Sequence, residues 1–201
     1  MIYKTAKVIA SLLIKHNYLV DDDRDLFEYG FFLVLSQLIY SSICLILGLF
    51  LGCILECIIF YIAFNLLRKY SGGFHASTEL RCFIISTLSI FCSVVFISKM
   101  NFFVSDIGFS ILLFITSMVI VVFSPLDTKE KPLSKDERKK YRKYSLIVLG
   151  IMLIVCIVGF CYVKVLAYPI LTAIILESIF LLLGKLKKIY LINRSKSLTT
   201  Q

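Results

Sequence analysis

Tyr29 to Leu67 reads YGFFLVLSQLIYSSICLILGLFLGCILECIIFYIAFNLL, 39 residues with a single charged side chain, Glu56. One helix of that length would measure about 58 Å, far more than the roughly 30 Å hydrocarbon core of a bilayer. The stretch must therefore fold as two spans, with a turn at Gly48 to Gly52. Outward from it, further apolar stretches run over Cys82–Ile97, Phe102–Ser124, Ser145–Val163 and Val165–Gly184, with tight breaks at Lys99–Asn101 and Lys164. The chain is predicted to be an all-α integral membrane protein of six transmembrane helices arranged as three hairpins.

Composition agrees. Of 201 residues 59% are hydrophobic and 17% charged, and a soluble body of this size would expose large apolar patches. The net charge of +9 is concentrated between the apolar runs, which makes it a topology signal and argues against nucleic acid as a partner. With both termini cytoplasmic, residues 1–28, 68–81, 125–144 and 185–201 hold 20 of the 22 Lys and Arg residues, and only Lys99 and Lys164 lie on the other side. The positive-inside rule selects this orientation. The whole chain, 1–201, reads as a single membrane domain, with a cytoplasmic segment at 68–81, a basic loop at 125–144 and a basic tail at 185–201.

No signal peptide is expected, because Lys4, Lys7 and Lys15 interrupt any apolar core of one. Lys4, Lys7, Ser11 and Lys15 share one helical face, and Ile2, Ala6, Ile9 and Leu13 the other. Residues 1–25 are thus predicted to form an amphipathic interfacial helix whose partner is membrane lipid. Seven cysteines scattered through apolar runs do not form a secreted disulfide framework. Cys53 and Cys57 are four apart, but no histidine or second pair lies near them, so no metal site is expected.

The 68–81 segment interrupts the apolar text with LLRKYSGGFHASTELRC, Leu66 to Cys82. A cysteine thiol, with an ordinary pKa of about 8.5, needs a base or a positive field to act as a nucleophile at neutral pH. In one continuous helix His75 and Cys82 would share a face but stand about 10 Å apart along the axis. Gly72 and Gly73 disfavour helix and permit a bend. The following helix is therefore predicted to start around Ala76 or Ser77, with His75 on the lead-in and Cys82 in the second turn. Side chains lean toward a helix N-terminus, which would bring Cys82 back toward His75, and the helix end and Arg81 add positive potential there.

Singly, a histidine at a membrane surface reads as an interfacial polar residue, and a cysteine in an apolar run as packing. Gly-Gly-x-His followed by a cysteine seven residues on makes His75 and Cys82 a candidate catalytic pair. Motifs for a zinc protease or a membrane serine protease are missing, and Asp106 is the only aspartate in a predicted span, which removes an aspartyl dyad. Gln37, Glu56, Glu79 and Glu177 all remain open as residues that orient His75. The basic stretch DTKEKPLSKDERKKYRK, Asp127 to Lys143, carries eight basic and four acidic residues. It reads either as a solvated topology anchor or as a docking surface for an acidic partner.

The segment RKYSGGFHASTELRC resembles the active-site segment of the AgrB family, the accessory gene regulator membrane endopeptidases of Gram-positive quorum sensing. Arg68, Gly72, Gly73, His75, Ala76 and Cys82 carry the match. SPLDTKEKPL is similar to a second family segment through Pro125, Thr128, Lys129 and Pro132, and IILESI, Ile174 to Ile179, is a weaker third match. The resemblance implies a multi-pass protein of a bacterial cell membrane, its active site at the cytoplasmic face, that cleaves an AgrD-like precursor peptide on its C-terminal side. In that reading Cys82 is the nucleophile and His75 the base and then the acid. The acyl group passes from Cys82 to an internal Cys or Ser of the precursor, closing a thiolactone or lactone. Arg68, Gly72, Gly73, Lys129 and Lys131 are then expected to bind or position the substrate. A homodimer is implied, and no cofactor. A non-enzymatic peptide exporter or carrier is the alternative, since broken helices and intramembrane glutamates are common in transporters.

Overall fold

The structure is a computed structural model that describes residues 2–16, 18, 23–74, 78–103, 105–127 and 133–199. Among these are seven helices: α1 (Ile2–Lys15), α2 (Arg24–Phe50), α3 (Ile54–Ser71), α4 (Glu79–Phe103), α5 (Asp106–Phe123), α6 (Lys135–Tyr162) and α7 (Lys164–Thr199). No strand occurs among the described residues, only a single parallel bridge between Gly72 and Leu126. The chain divides into two compact units, Met1–Ile43 and Cys44–Gln201.

Five helical stretches are long and apolar enough to cross a membrane: Arg24–Phe50, Leu80–Lys99, Asp106–Phe123, Lys135–Tyr162 and Lys164–Leu191. The chain is an all-helical, multi-pass membrane protein. α3 falls outside this set because its 18 residues include Glu56, Arg68 and Lys69.

In the first unit α1 and the start of α2 converge on the buried carboxylate of Glu28. Arg24 Nε donates to it at 3.1 Å, Lys7 Nζ lies at 3.4 Å, and the Tyr3 hydroxyl donates at 3.4 Å. The Tyr3 and Phe32 rings meet edge to face, 6.0 Å between centroids. Lys7, placed by the sequence on a face turned to lipid headgroups, is thus partly spent on an internal ion pair.

In the second unit α7 is the central helix, packed by α3, α5 and α6 and more lightly by α4. Its apolar window is mostly buried, whereas those of α4, α5 and α6 mostly face outward. Outward Leu, Ile and Phe side chains such as Ile111, Phe114 and Ile154 suit a lipid surround. Close helix approach is made at small residues. A Cβ on Gly48 would lie 2.7 Å from Cys57 Sγ, and one on Gly159 3.1 Å from Leu166. Cys53 and Cys57 have their sulfurs 3.9 Å apart.

The turn expected at Gly48 to Gly52 is found where α2 ends at Phe50 and α3 begins at Ile54. Other boundaries move. α4 continues past Lys99 to Phe103, because Ser105 rather than the lysine sets the break: its hydroxyl accepts the Gly108 N–H at 3.1 Å and caps α5. α6 begins inside the basic loop, at Lys135, behind a capping box in which the Ser134 hydroxyl accepts the Glu137 N–H and the Glu137 carboxylate accepts that of Ser134. The basic tail at 185–201 is largely the continuation of α7 through Thr199, since Lys, Leu and Arg favour helix and no Gly or Pro follows Gly184. Of the stretch 1–25, expected as one amphipathic helix, the structure forms α1 over Ile2–Lys15, and α2 has begun by Arg24.

Candidate active site

Arg68 lies in the last turn of α3 and organises the bend that succeeds this helix. Gly72 stops the helix at φ +75°, and Gly73 comes next at φ +135°, both in the region glycine alone enters freely. The released backbone does not wander. Leu126 N–H donates to the Ser71 carbonyl at 2.9 Å, and Phe74 N–H donates to the Phe180 carbonyl at 3.0 Å. Arg68 turns forward along its own chain: Nη1 donates to the Gly72 carbonyl at 3.2 Å and Nη2 to that of Phe74. Its guanidinium lies over the Phe180 ring, 4.7 Å from the centroid, and Nη1 is 3.6 Å from Oε2 of the fully buried Glu177.

The bend is fitted closely to its surroundings. A Cβ on Gly72 would fall on the Leu126 carbonyl oxygen, and one on Gly73 on the Arg68 guanidinium. A Cβ on Gly184 would lie 3.0 Å from Phe74 N and 3.1 Å from the Gly73 carbonyl carbon. Glu177, Phe180 and Gly184, at i, i+3 and i+7 of α7, form one stripe, of which Glu177 meets Arg68 and the other two meet the 72–74 segment. Beneath it three buried hydroxyls connect α3, the end of α5 and α6: Ser71 lies 3.1 Å from Ser145, to which Ser124 donates at 2.7 Å.

α4 begins at Glu79, later than the expected start near Ala76 or Ser77. Thr78 accounts for it: its hydroxyl accepts the Arg81 N–H at 3.4 Å, a capping interaction the glycine pair does not predict. Cys82 consequently sits in the first turn rather than the second, half-buried, its N–H donating to the Thr78 carbonyl at 3.0 Å. His75, Ala76, Lys129 and Lys131 lie outside the described residues. Of the residues singled out by sequence, the structure brings Arg68, Gly72 and Gly73 together and places Cys82 at the start of the next helix. Sequence reasoning missed Leu126, Phe180 and Gly184. Only the spacing of the α7 stripe could have suggested the last two.

A second polar region lies where α5 leads into α6. Lys135, Arg138, Lys139 and Arg142 project from one face of α6 into a cleft of about 440 Å³ that Val122, Phe123, Ser124, Pro125 and Asp136 also line. Asp127, at its edge, is held by Lys188 at 2.7 Å and Arg138 at 4.0 Å. The Lys188 hydrogen bond keeps this carboxyl below its ordinary range, against a smaller opposing effect of burial. The Lys185 ammonium stands 3.9 Å from the Phe123 ring centroid.

Fold and site together define a polytopic helical membrane protein whose central helix grips a glycine-bent, basic segment leading to a cysteine at a helix N-terminus. The sequence pattern of the family described as Accessory gene regulator B matches residues 6–183, and the chain belongs to that family, a component of quorum-sensing systems. It is 30% identical over 163 residues to a Clostridium perfringens (strain 13 / Type A) protein named as AgrB-like, spanning 77% of this chain and 75% of that one. An AgrB-like protein of C. perfringens (strain SM101 / Type A) is 28% identical over 187 residues, 89% of this chain and 86% of its own. Accessory gene regulator protein B of Staphylococcus aureus (strain MW2) is 29% identical over 94 residues, 47% of this chain and 49% of its own. No solved structure matches the chain.

Proposed function

We propose that the chain is a membrane cysteine endopeptidase that cleaves an AgrD-like precursor on its C-terminal side at the cytoplasmic face. α3 acts as the sixth span, its charges Arg68 and Lys69 lying at the membrane boundary, and both termini are cytoplasmic. The observation that carries the reading is the position of Cys82: a half-buried thiol in the first turn of α4, eight residues beyond the clamped Phe74, with His75 between them. His75 takes the thiol proton as Cys82 sulfur attacks the scissile carbonyl. The amide C–N bond then breaks, and His75 returns the proton to the leaving amine. An internal Cys or Ser of the precursor attacks the resulting thioester, closing the ring and restoring the Cys82 thiol. A site that excludes water protects the thioester from hydrolysis.

Mass spectrometry of the protein quenched in acid during turnover tests this. The precursor's N-terminal portion is expected as a hydroxylamine-labile adduct on Cys82. An adduct on another cysteine, or cleavage with no adduct when the ring-closing residue of the precursor is replaced by Ala, overturns it, and uptake of an uncleaved peptide would point to a carrier.

The basic face of α6, with Lys129 and Lys131 in the same loop, supports docking of an acidic part of the precursor. Exposed charge pairs are each worth at most about 1 kcal/mol and are screened over about 8 to 10 Å at physiological salt. Lys135, Arg138, Lys139 and Arg142 replaced together by Gln are therefore expected to raise KM and flatten its salt dependence, with kcat nearly unchanged. These charges also direct topology, so orientation is checked first by cysteine accessibility in the C-terminal tail. An unchanged KM at low salt in correctly oriented protein would leave the face as a topology anchor only.

A further inference from the structure

Resting on the peptidase reading above, we infer that Glu177 is a positioning residue for that reaction: it holds Arg68 where the guanidinium fixes the backbone of Gly72 to Phe74, the entry to His75. Glu177 is fully buried in α7, and neither carboxylate oxygen has a hydrogen-bond partner among the described residues. Its companion is the Arg68 guanidinium at 3.6 Å, close enough for charge attraction and too far for a good hydrogen bond. Stability alone does not account for such a pair, because a buried ion pair is often matched or bettered by apolar residues of similar volume.

The geometry supplies another account. Arg68 holds two successive features of the bend, the carbonyls of Gly72 and Phe74, while its side chain remains partly exposed. A long cationic side chain near a membrane boundary tends to extend toward water. The Glu177 carboxyl, 3.6 Å away on the buried side, opposes this and holds the guanidinium inward across the Phe180 ring. With that carboxyl replaced, Arg68 is free to turn outward and release both carbonyls. The segment itself would stay in place, since Phe74 keeps its hydrogen bond to Phe180 and its seat against Gly184. The loss falls on the placement of the residue after Phe74. Glu177 acts through Arg68 and touches neither substrate nor Cys82.

The test uses the full chain in proteoliposomes with a synthetic precursor, comparing Arg68→Gln, Glu177→Gln, the double variant, His75→Ala and Cys82→Ala. Misplacement of a catalytic group by about 1 Å costs on the order of 100-fold, so Glu177→Gln is expected to lower kcat by about that factor. KM should stay within about threefold, because substrate binding is not the interaction removed. Arg68→Gln should behave alike, and the double variant should be no slower than the slower single, as two members of one device are not additive. Alkylation of Cys82 by iodoacetamide at pH 7 should slow in Glu177→Gln as far as in His75→Ala, a change that general loosening does not produce. Glu177→Leu, apolar and close in volume, repeats the test should the amide variant fail to insert. Wild-type kcat in either inserted variant, or losses that multiply in the double, overturns the inference. Failure of the peptidase reading looks different: Cys82→Ala and His75→Ala would then retain turnover.

Discussion

Cys82→Ala is expected to release no C-terminal fragment from the precursor, and His75→Ala to release it about 10²- to 10⁴-fold more slowly, the usual contribution of a general base. Without the sulfur no thioester forms and no ring closes, whatever else the site does. Both variants should insert normally, because neither residue contributes to the apolar windows in a way that an alanine does not replace. Cys82→Ser keeps the shape of the thiol but is a far poorer nucleophile at neutral pH, so precursor binding should outlast turnover. The other six cysteines, of which Cys44, Cys53, Cys57 and Cys156 are buried and Cys92 and Cys161 exposed, should be replaceable singly by Ala with small losses. The measurements are precursor cleavage followed by mass and membrane orientation by cysteine labelling. Fragment release by Cys82→Ala at the wild-type rate ends the assignment.

The membrane helices were legible because hydropathy needs no partner to be read: a run of Leu, Ile, Phe and Val long enough to cross a bilayer declares itself. The Gly72-Gly73 bend was legible for a similar reason, as backbone freedom belongs to glycine itself. Boundaries set by side-chain caps were not. Thr78, Ser105 and Ser134 each look like any hydroxyl residue until the N–H they accept is in place. The sequence left Gln37, Glu56, Glu79 and Glu177 open beside His75 and gave no sign that Glu177 meets Arg68, because that contact depends on α7 lying against the end of α3, a packing between residues more than 100 positions apart. Arg68 was expected to bind or position the substrate, and the structure adds that its side chain is engaged with the carbonyls of Gly72 and Phe74, which a lone arginine before a glycine pair does not reveal. Gly184 was invisible for the opposite reason: its importance lies in the absence of a side chain where Phe74 passes.

Gly73→Ala is expected to cost about 100-fold or more in kcat, the scale set by displacing a catalytic group by about 1 Å. Two effects act together. At φ +135° an L-residue is strained, worth about 1 to 3 kcal/mol, and the added methyl falls on the Arg68 guanidinium. Either Arg68 leaves the carbonyls of Gly72 and Phe74, or the segment turns away from it, and both release the Phe74 carbonyl that precedes His75. Gly72→Ala should behave similarly, since its methyl meets the Leu126 carbonyl oxygen and parts the Ser71–Leu126 hydrogen bond. Gly52 supplies the control. It too has a positive φ, +68°, yet a Cβ there meets nothing within 4 Å, and it lies in the turn between α2 and α3. Gly52→Ala therefore carries backbone strain of the same sign, though smaller because +68° lies in the left-handed region, without touching the clamp, and should lower thermal stability while leaving kcat within about threefold. Measuring kcat, KM and thermal unfolding for the three variants in one membrane preparation separates strain from position. If Gly73→Ala turns over as fast as Gly52→Ala, the close fit of this bend to Arg68 has no part in catalysis, and strain alone accounts for whatever stability is lost.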